Sequence, residues 1–202
     1  SVPGIRQLMP IAITSPRFTS PMFAVIGAAV LPDATMFFGV DPDLALDMMD
    51  LDFREGSPEQ ARAMLRQGRH VLVTDEFRQL KGLGVGGKIR LTTPLHGDVD
   101  YTIAGVIWPP GMDVIVSVYD LGRQADQRTA GSLFGTLSDA ASDFGATKIQ
   151  LFAATLDRSI EKQQLLERMQ KDLGVLGMKV GDVRQIKADI QRDLTTWLAK
   201  YG

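Results

Sequence analysis

An α+β fold follows from two patterns in this sequence. Between Lys88 and Ile107, apolar residues Ile89, Leu91, Tyr101, Ile103 and Val106 recur at near two-residue spacing around the turn-forming segment PLHGD, which is the mark of a hairpin with one covered face. From Ala146 onward the order becomes strand (Lys148 to Ala153), helix (Arg158 to Leu173), short strand (Met178 to Val180) and helix (Val183 to Leu198), a unit that packs helices on one face of a sheet. With 202 residues, 45% of them hydrophobic, the chain can bury a core for one domain or two interlocked subdomains.

In chain order, Val2 to Thr14 reads as a strand with Pro10 marking an edge or bend. SPRFTSP is loop by composition. Met22 to Val30 (MFAVIGAAV) is short enough for a buried strand, with Gly27 at a bulge. A strand from Thr35 to Val40 ends at Asp41-Pro42, where the aspartate caps a helix and the proline suits its first turn. Asp41, Asp43, Asp47, Asp50, Asp52 and Glu55 then accumulate, but the glycine and terminal glutamate of a calcium loop do not accompany them, so capping and a solvated face account for them. Ser57 to Gln60 opens a helix with a capping box, and Gly68 stops it. The strand Val71 to Val73 runs into a helix opened by Thr74 and Asp75.

Gly82, Gly84 and Gly87 have the spacing of a dinucleotide loop, yet they follow a helix and open a strand. A pyrophosphate needs the opposite order, so the run reads as a helix cap and tight turn. Lys88 is no phosphate-loop lysine, since no Ser or Thr follows it. Leu133, Leu137 and Ala141 suggest a weakly helical stretch. In the first C-terminal helix, Ile160, Leu166, Met169 and Leu173 form the core stripe, and Asp182 with Gln185 caps the last one.

A net charge of −2 and a pI near 5.7 remove the basic face that nucleic acid requires. The absence of cysteine excludes disulfides, thiolate metal sites and a cysteine nucleophile. No run approaches the roughly 18 apolar residues of a spanning helix. His70 and His96 stand outside any metal-ligand spacing, and no serine lies in G-x-S-x-G or S-x-x-K. No catalytic, cofactor-binding or metal-ligating residue is assigned.

The segments VLVTDEF, GLGVGGKIRL and YTIAGVI, with FFGVDPDL upstream, resemble in their order the extracytoplasmic domain of MacB/FtsX-type ABC transporter permeases, the domain inserted between the first two transmembrane helices. The resemblance covers roughly Val2 to Leu194. It implies a porter-like α/β subdomain built from both chain ends, residues 1–15 and 146–202, with an inserted β-rich Sabre-like subdomain, residues 16–145. The family usually has another strand and helix before the segment that corresponds to Ile5 to Thr14, so the porter half is expected to be incomplete here.

The resemblance further implies a non-catalytic domain on the periplasmic or outer face of the cell membrane, as part of an integral membrane protein. Its partners would be its own transmembrane helices and a cytoplasmic ATPase subunit or domain. An extracytoplasmic adaptor, substrate protein or lipid would meet it outside, and the intact transporter would be open to dimer formation. Its task would be to contact substrate or partner and relay the ATP-driven motion of the membrane helices. Two other classes stay open: a free extracytoplasmic small-molecule binding module, and a hydrolase whose dispersed carboxylates converge. The contact candidates are loop residues: Trp108, Pro109 and Pro110 in WPPG, and Arg123 and Arg128 in the polar loop GRQADQRT. Trp108 reads either as an exposed aromatic contact or as a loop tryptophan that caps the core.

Overall fold

The computed structural model describes residues 4–19, 33–49, 51–108, 132–157, 161–175, 177–178 and 180–182. Among the described residues ten strands form one mixed sheet: β1 (Ile5–Thr14), β2 (Arg17–Thr19), β3 (Asp33–Ala34), β4 (Met36–Val40), β5 (Asp52–Glu55), β6 (His70–Thr74), β7 (Lys88–Thr93), β8 (Gly97–Trp108), β9 (Ser132–Thr136) and β10 (Leu151–Leu156). Five helices accompany them among the described residues: α1 (Pro42–Met48), α2 (Pro58–Leu65), α3 (Asp75–Lys81), α4 (Leu137–Phe144) and α5 (Lys162–Gly174). The fold is therefore mixed α/β. Described residues 4–6 and those from Thr155 onward belong to one compact unit, and the described residues from Gln7 to Ala154 belong to a second, larger one.

The sheet order is β10-β1-β4-β9-β6-β8-β7-β2-β3, with β5 also paired to β8. β4 with β9 and β6 with β8 are parallel pairs, whereas β7 and β8 form the expected antiparallel hairpin, Lys88 opposite Thr102 through Thr93 opposite Gly97. The N-terminal strand β1 joins β10: Gln150 N–H donates to the Ile11 carbonyl at 3.2 Å and Asp157 N–H to that of Gly4 at 3.0 Å. The other edge of β1 pairs with β4 from Ala12 to Thr14 only, which leaves Pro10, with no N–H to give, outside that ladder.

Within the larger unit β4, β6 and β9 are buried on both faces, so neighbouring residues serve opposite cores. One core gathers Phe37, Val71, Val73, Tyr101, Ile103 and Leu133 beneath Phe77 of α3 and Ala140 and Phe144 of α4. Leu72, between Val71 and Val73, is left to the opposite face, where Phe38 stacks on Phe134 at 5.2 Å. There α2, with Ala61 and Leu65 buried, lies against β6 and β8. Four of the described helices open on a side-chain cap. Side-chain oxygens of Asp41, Ser57, Thr74 and Thr136 each accept the N–H that opens α1, α2, α3 and α4.

Several expectations are corrected. The stretch read as weakly helical through Leu133 is strand β9 up to Thr136, and only then helix. Its extended form is selected by insertion between β4 and β6, a tertiary demand that local propensity does not carry. SPRFTSP contains β2, held by pairing with β7, and β5 was not anticipated. β10 starts at Leu151 and α5 at Lys162, later than expected, while Met178 and Val180 lie in no strand. Along α5 the one buried residue is Leu165, with Leu166, Met169 and Leu173 half-buried beside it. The readings for 22–30 and 183–198 fall outside the described residues.

Close approach of α4 to the sheet requires glycine at one point. A Cβ on Gly39 would stand 2.5 Å from the Ala140 Cβ and 3.2 Å from the Thr136 carbonyl. Gly39→Val should therefore destabilise the domain by about 2 kcal/mol through overpacking. In denaturant unfolding, adding Ala140→Gly to Gly39→Ala should recover part of the loss; strictly additive effects of the two changes would show that this contact is not the cause.

Candidate functional site

β8 is the longest described strand, and the structure sets different chemistry at its two ends. At its C-terminal end, β6 pairs along one edge to Ile107 and β5 along the other, placing Asp52 opposite Trp108. The strand ends there, before the two prolines. Trp108 is 52% exposed, so it is an exposed aromatic on the end of a doubly paired strand and not a core-capping loop residue. Pro109, Pro110, Arg123 and Arg128 lie outside the described residues, so Trp108 is the one contact candidate with a described position.

Near its N-terminal end lies a polar cluster that sequence reasoning missed. Asp143 of α4 is 1% exposed. Tyr101 Oη donates to its Oδ2 at 2.7 Å, while Arg69 donates through Nε and Nη2 to the two oxygens at 3.1 Å each. His96 Nε2 stands 3.8 Å from Oδ1. Burial alone would raise the Asp143 carboxyl, but the hydrogen bonds from Arg69 and Tyr101, with the charges of Arg69 and His96, outweigh it and hold the group below the usual carboxylate range. Tyr101 is pushed far up, first by burial and then by its bond to the carboxylate, so it stays a donor at all ordinary pH.

Arg69 occupies the left-handed region at φ +51°, next to Gly68 at +78°. Its backbone N–H is held by both Asp139 oxygens at 3.1 Å, and its carbonyl accepts from Thr102 N–H at 3.0 Å. No spacing rule connects these groups, because Arg69 and Asp143 are 74 residues apart in the chain. The one visible signal was a pair of acids, Asp139 and Asp143, four apart on an otherwise apolar helix face.

The glycine turn is architectural. Gly82 caps α3 at φ +67°, and a Cβ on Gly84 would run into the Glu55 carboxylate. Glu55 takes the Val85 N–H at 3.2 Å and pairs with Arg78, while Gly86 N–H donates to Ile103 and Gly87 N–H to Gly84, each at 2.9 Å. The amides of Gly82, Val85, Gly86 and Gly87 are thus committed to protein acceptors. The acidic residues around α1 are committed too: Asp41 caps the helix, Asp43 binds Arg62 and Arg66, and Asp47 binds Arg62. No cluster of three metal-ligating side chains occurs among the described residues.

No family model matches the sequence, and no curated protein does. Solved structures do match. The extracellular domain of the noncanonic ABC-type transporter YknZ from Gram-positive bacteria aligns at TM-score 0.52 and 11% identity, over 86% of this chain and 79% of that one. The periplasmic region of MacB from Actinobacillus actinomycetemcomitans aligns at 0.55 and 10%, over 94% and 77%. A domain of a putative permease protein from Porphyromonas gingivalis aligns at 0.51 and 14%, over 86% and 71%. The fold is that of extracytoplasmic domains of ABC-type transporter permeases. The resemblance read from the sequence motifs is therefore borne out at the level of fold. Among the described residues no helix is long and apolar enough to cross a membrane.

The buried carboxylate gives a pH test. Because its folded pKa is depressed, Asp143 adds stability that is present above its unfolded value of about 3.9 and is lost as pH falls through the folded value. Asp143→Asn should cost about 3 kcal/mol near neutrality, and the gap to wild type should narrow as the solution is acidified below about pH 4. A gap that stays constant with pH in thermal unfolding would remove the charge from this account.

Proposed function

We propose that this chain is a non-catalytic extracytoplasmic domain of an ABC transporter permease, contacting substrate or a partner protein and relaying the ATP-driven motion of membrane helices. The observation that carries the reading is the fold match to three permease domains whose descriptions place them at the extracellular or periplasmic face or within a permease. Transport work of this kind needs no catalytic group in the domain itself, only a stiff body with exposed contacts, because hydrolysis would occur on a separate cytoplasmic ATPase subunit or domain. A long strand paired on both edges is such a body.

In this reading residues 1–15 with 146–202 form the porter-like part attached to the membrane helices, and residues 16–145 the Sabre-like insertion reaching outward. Pairing of β1 with β10 supports bringing the two chain ends together. Contacts with an adaptor, substrate protein or lipid are placed at Trp108, Pro109 and Pro110 and at Arg123 and Arg128, and dimer formation would belong to the intact transporter. Trp108 supports this by being large, aromatic, half-exposed and fixed by its strand.

The experiment uses the intact transporter. Trp108→Ala and Arg123→Ala should each reduce transport or partner capture several-fold, while the melting temperature of the domain changes by less than about 2 °C. Unchanged transport in the double variant, or substrate turnover by the domain alone, would overturn the reading.

A further inference from the structure

The tip of the β7–β8 hairpin does not end in open solvent. Residues 94–97 rest on the C-terminal end of α4: Leu95 Cδ1 lies 3.9 Å from where a Cβ on Gly145 would stand, and His96 Nε2 is 3.8 Å from Asp143 Oδ1. The tip's backbone is held from within, since Thr93 Oγ1 takes the His96 N–H at 3.1 Å and donates to the Gly97 carbonyl at 2.9 Å. The half-exposed imidazole itself makes no hydrogen bond among the described residues. At 3.8 Å a neighbouring charge is felt, but a hydrogen bond is not yet formed.

The charges around His96 are out of balance by one. It shares a groove with Arg69, Arg90, Asp98 and Asp100, and Asp143 lies beneath. Arg90 grips Asp100 and Arg69 grips Asp143, while exposed Asp98 accepts from Thr92 Oγ1 and has no cation beside it among the described residues. Two cations thus face three carboxylates. Asp139 of α4 is spent on the Arg69 N–H, and Tyr101 is a neutral donor to Asp143. The helix adds charge of the same sign, because the last turn of α4 carries no basic residue and its free carbonyls point toward the tip. Asp143 stays an anion through the neutral range, held so by Arg69 and Tyr101. Its Oδ1 is the less satisfied oxygen, with Arg69 at 3.1 Å and Ser142 at 3.4 Å, whereas Oδ2 has Tyr101 at 2.7 Å.

We propose that His96 is a proton-operated latch, which on gaining its proton closes onto Asp143 Oδ1 and fastens the β7–β8 tip to α4, and on losing it lets the tip lift. Histidine changes charge between roughly pH 5 and 8, so a single proton cancels the excess negative charge of the groove with no ligand required. Arg69 is the cation that opposes a charged imidazole here, and its own charge is already offset by Asp143. The other histidine, His70, has its Nδ1 2.7 Å from the Gly68 carbonyl. The latch does not depend on the transporter reading, since every group in it belongs to the larger unit.

The test is amide hydrogen exchange, followed by NMR on the full chain at about pH 5.5 and about pH 7.5. After correction for intrinsic rates, the His96 amide should be protected about fivefold more at the lower pH, while the mid-strand Ile103 amide should change by less than about twofold. His96→Gln should abolish the difference and leave the tip at its high-pH protection. His96→Lys, charged at both pH values, should keep it near the low-pH protection throughout. Equal protection of the wild-type tip at both pH values overturns the proposal, as does protection that falls on acidification, which would mean that Arg69 repels the charged imidazole. A pH step that survives His96→Gln belongs to another group, His70 first, and overturns it equally.

Discussion

A buried carboxylate sets the constraint on which the larger unit depends. Asp143 is removed from water, and an unpaired charge there would cost several kcal/mol. It is stabilised only because three separate segments converge on it: Tyr101 from β8, Arg69 from the turn before β6, and Asp143's own helix α4, which is positioned by the Thr136 cap and by contact with Gly39. Magnitudes explain the otherwise unfavourable backbone of Arg69. A left-handed conformation costs a non-glycine residue about 1–2 kcal/mol, and glycine would avoid that cost. Glycine would also leave Asp143 with two donors fewer and without the Arg69 countercharge, which costs more. Arginine therefore wins at a position whose φ favours glycine, and Asp139 helps by fixing its N–H.

The same turn decides how β6 meets β8. Two successive left-handed residues let β6 begin only opposite Thr102, and a bulge between Val71 and Leu72 readjusts the parallel register afterwards. Beyond the bulge, Gly105 leaves room for Phe53 and Leu72, whose rings and methyls a Cβ there would press at about 3 Å. β5 can then close over the second edge and carry Glu55 to the glycine turn, where Arg78 and Val85 hold it. The chain from Asp52 to Ile107 is thus one interlocked object, and Trp108 stands at its paired end.

What the sequence disclosed follows the range of each interaction. Caps at Asp41, Ser57 and Thr74, the αL stop at Gly82 and the β7–β8 alternation depend on residues a few positions apart, and each was legible. β9 was not, because Leu-Phe-Gly-Thr has no alternation of its own when both faces are buried and its glycine is chosen by the Phe37 ring across the sheet. β2 and β5 are short strands specified by their partners rather than by their composition. The Asp143 cluster could not be assembled from the sequence, since Arg69, Tyr101 and Asp143 come together only after the sheet order is fixed. The motif order identified the architecture in advance, because it samples strand, helix and turn together and not any one of them.

Identity of 10–14% with retained fold is what this division predicts. Positions buried on both faces of β4, β6 and β9 ask for apolar volume and tolerate exchange among residues of similar size, so a common architecture needs little common sequence. Surface contacts ask for particular groups, and a fold does not supply them. For that reason the residues that meet a partner must be sought in this chain's own surface chemistry. A side chain on a doubly paired strand end loses less freedom on binding than one on a loose loop, so less of its contact energy is spent on ordering. Trp108 stands at such an end, where β5 pairs with it and β6 pairs with its neighbour Ile107.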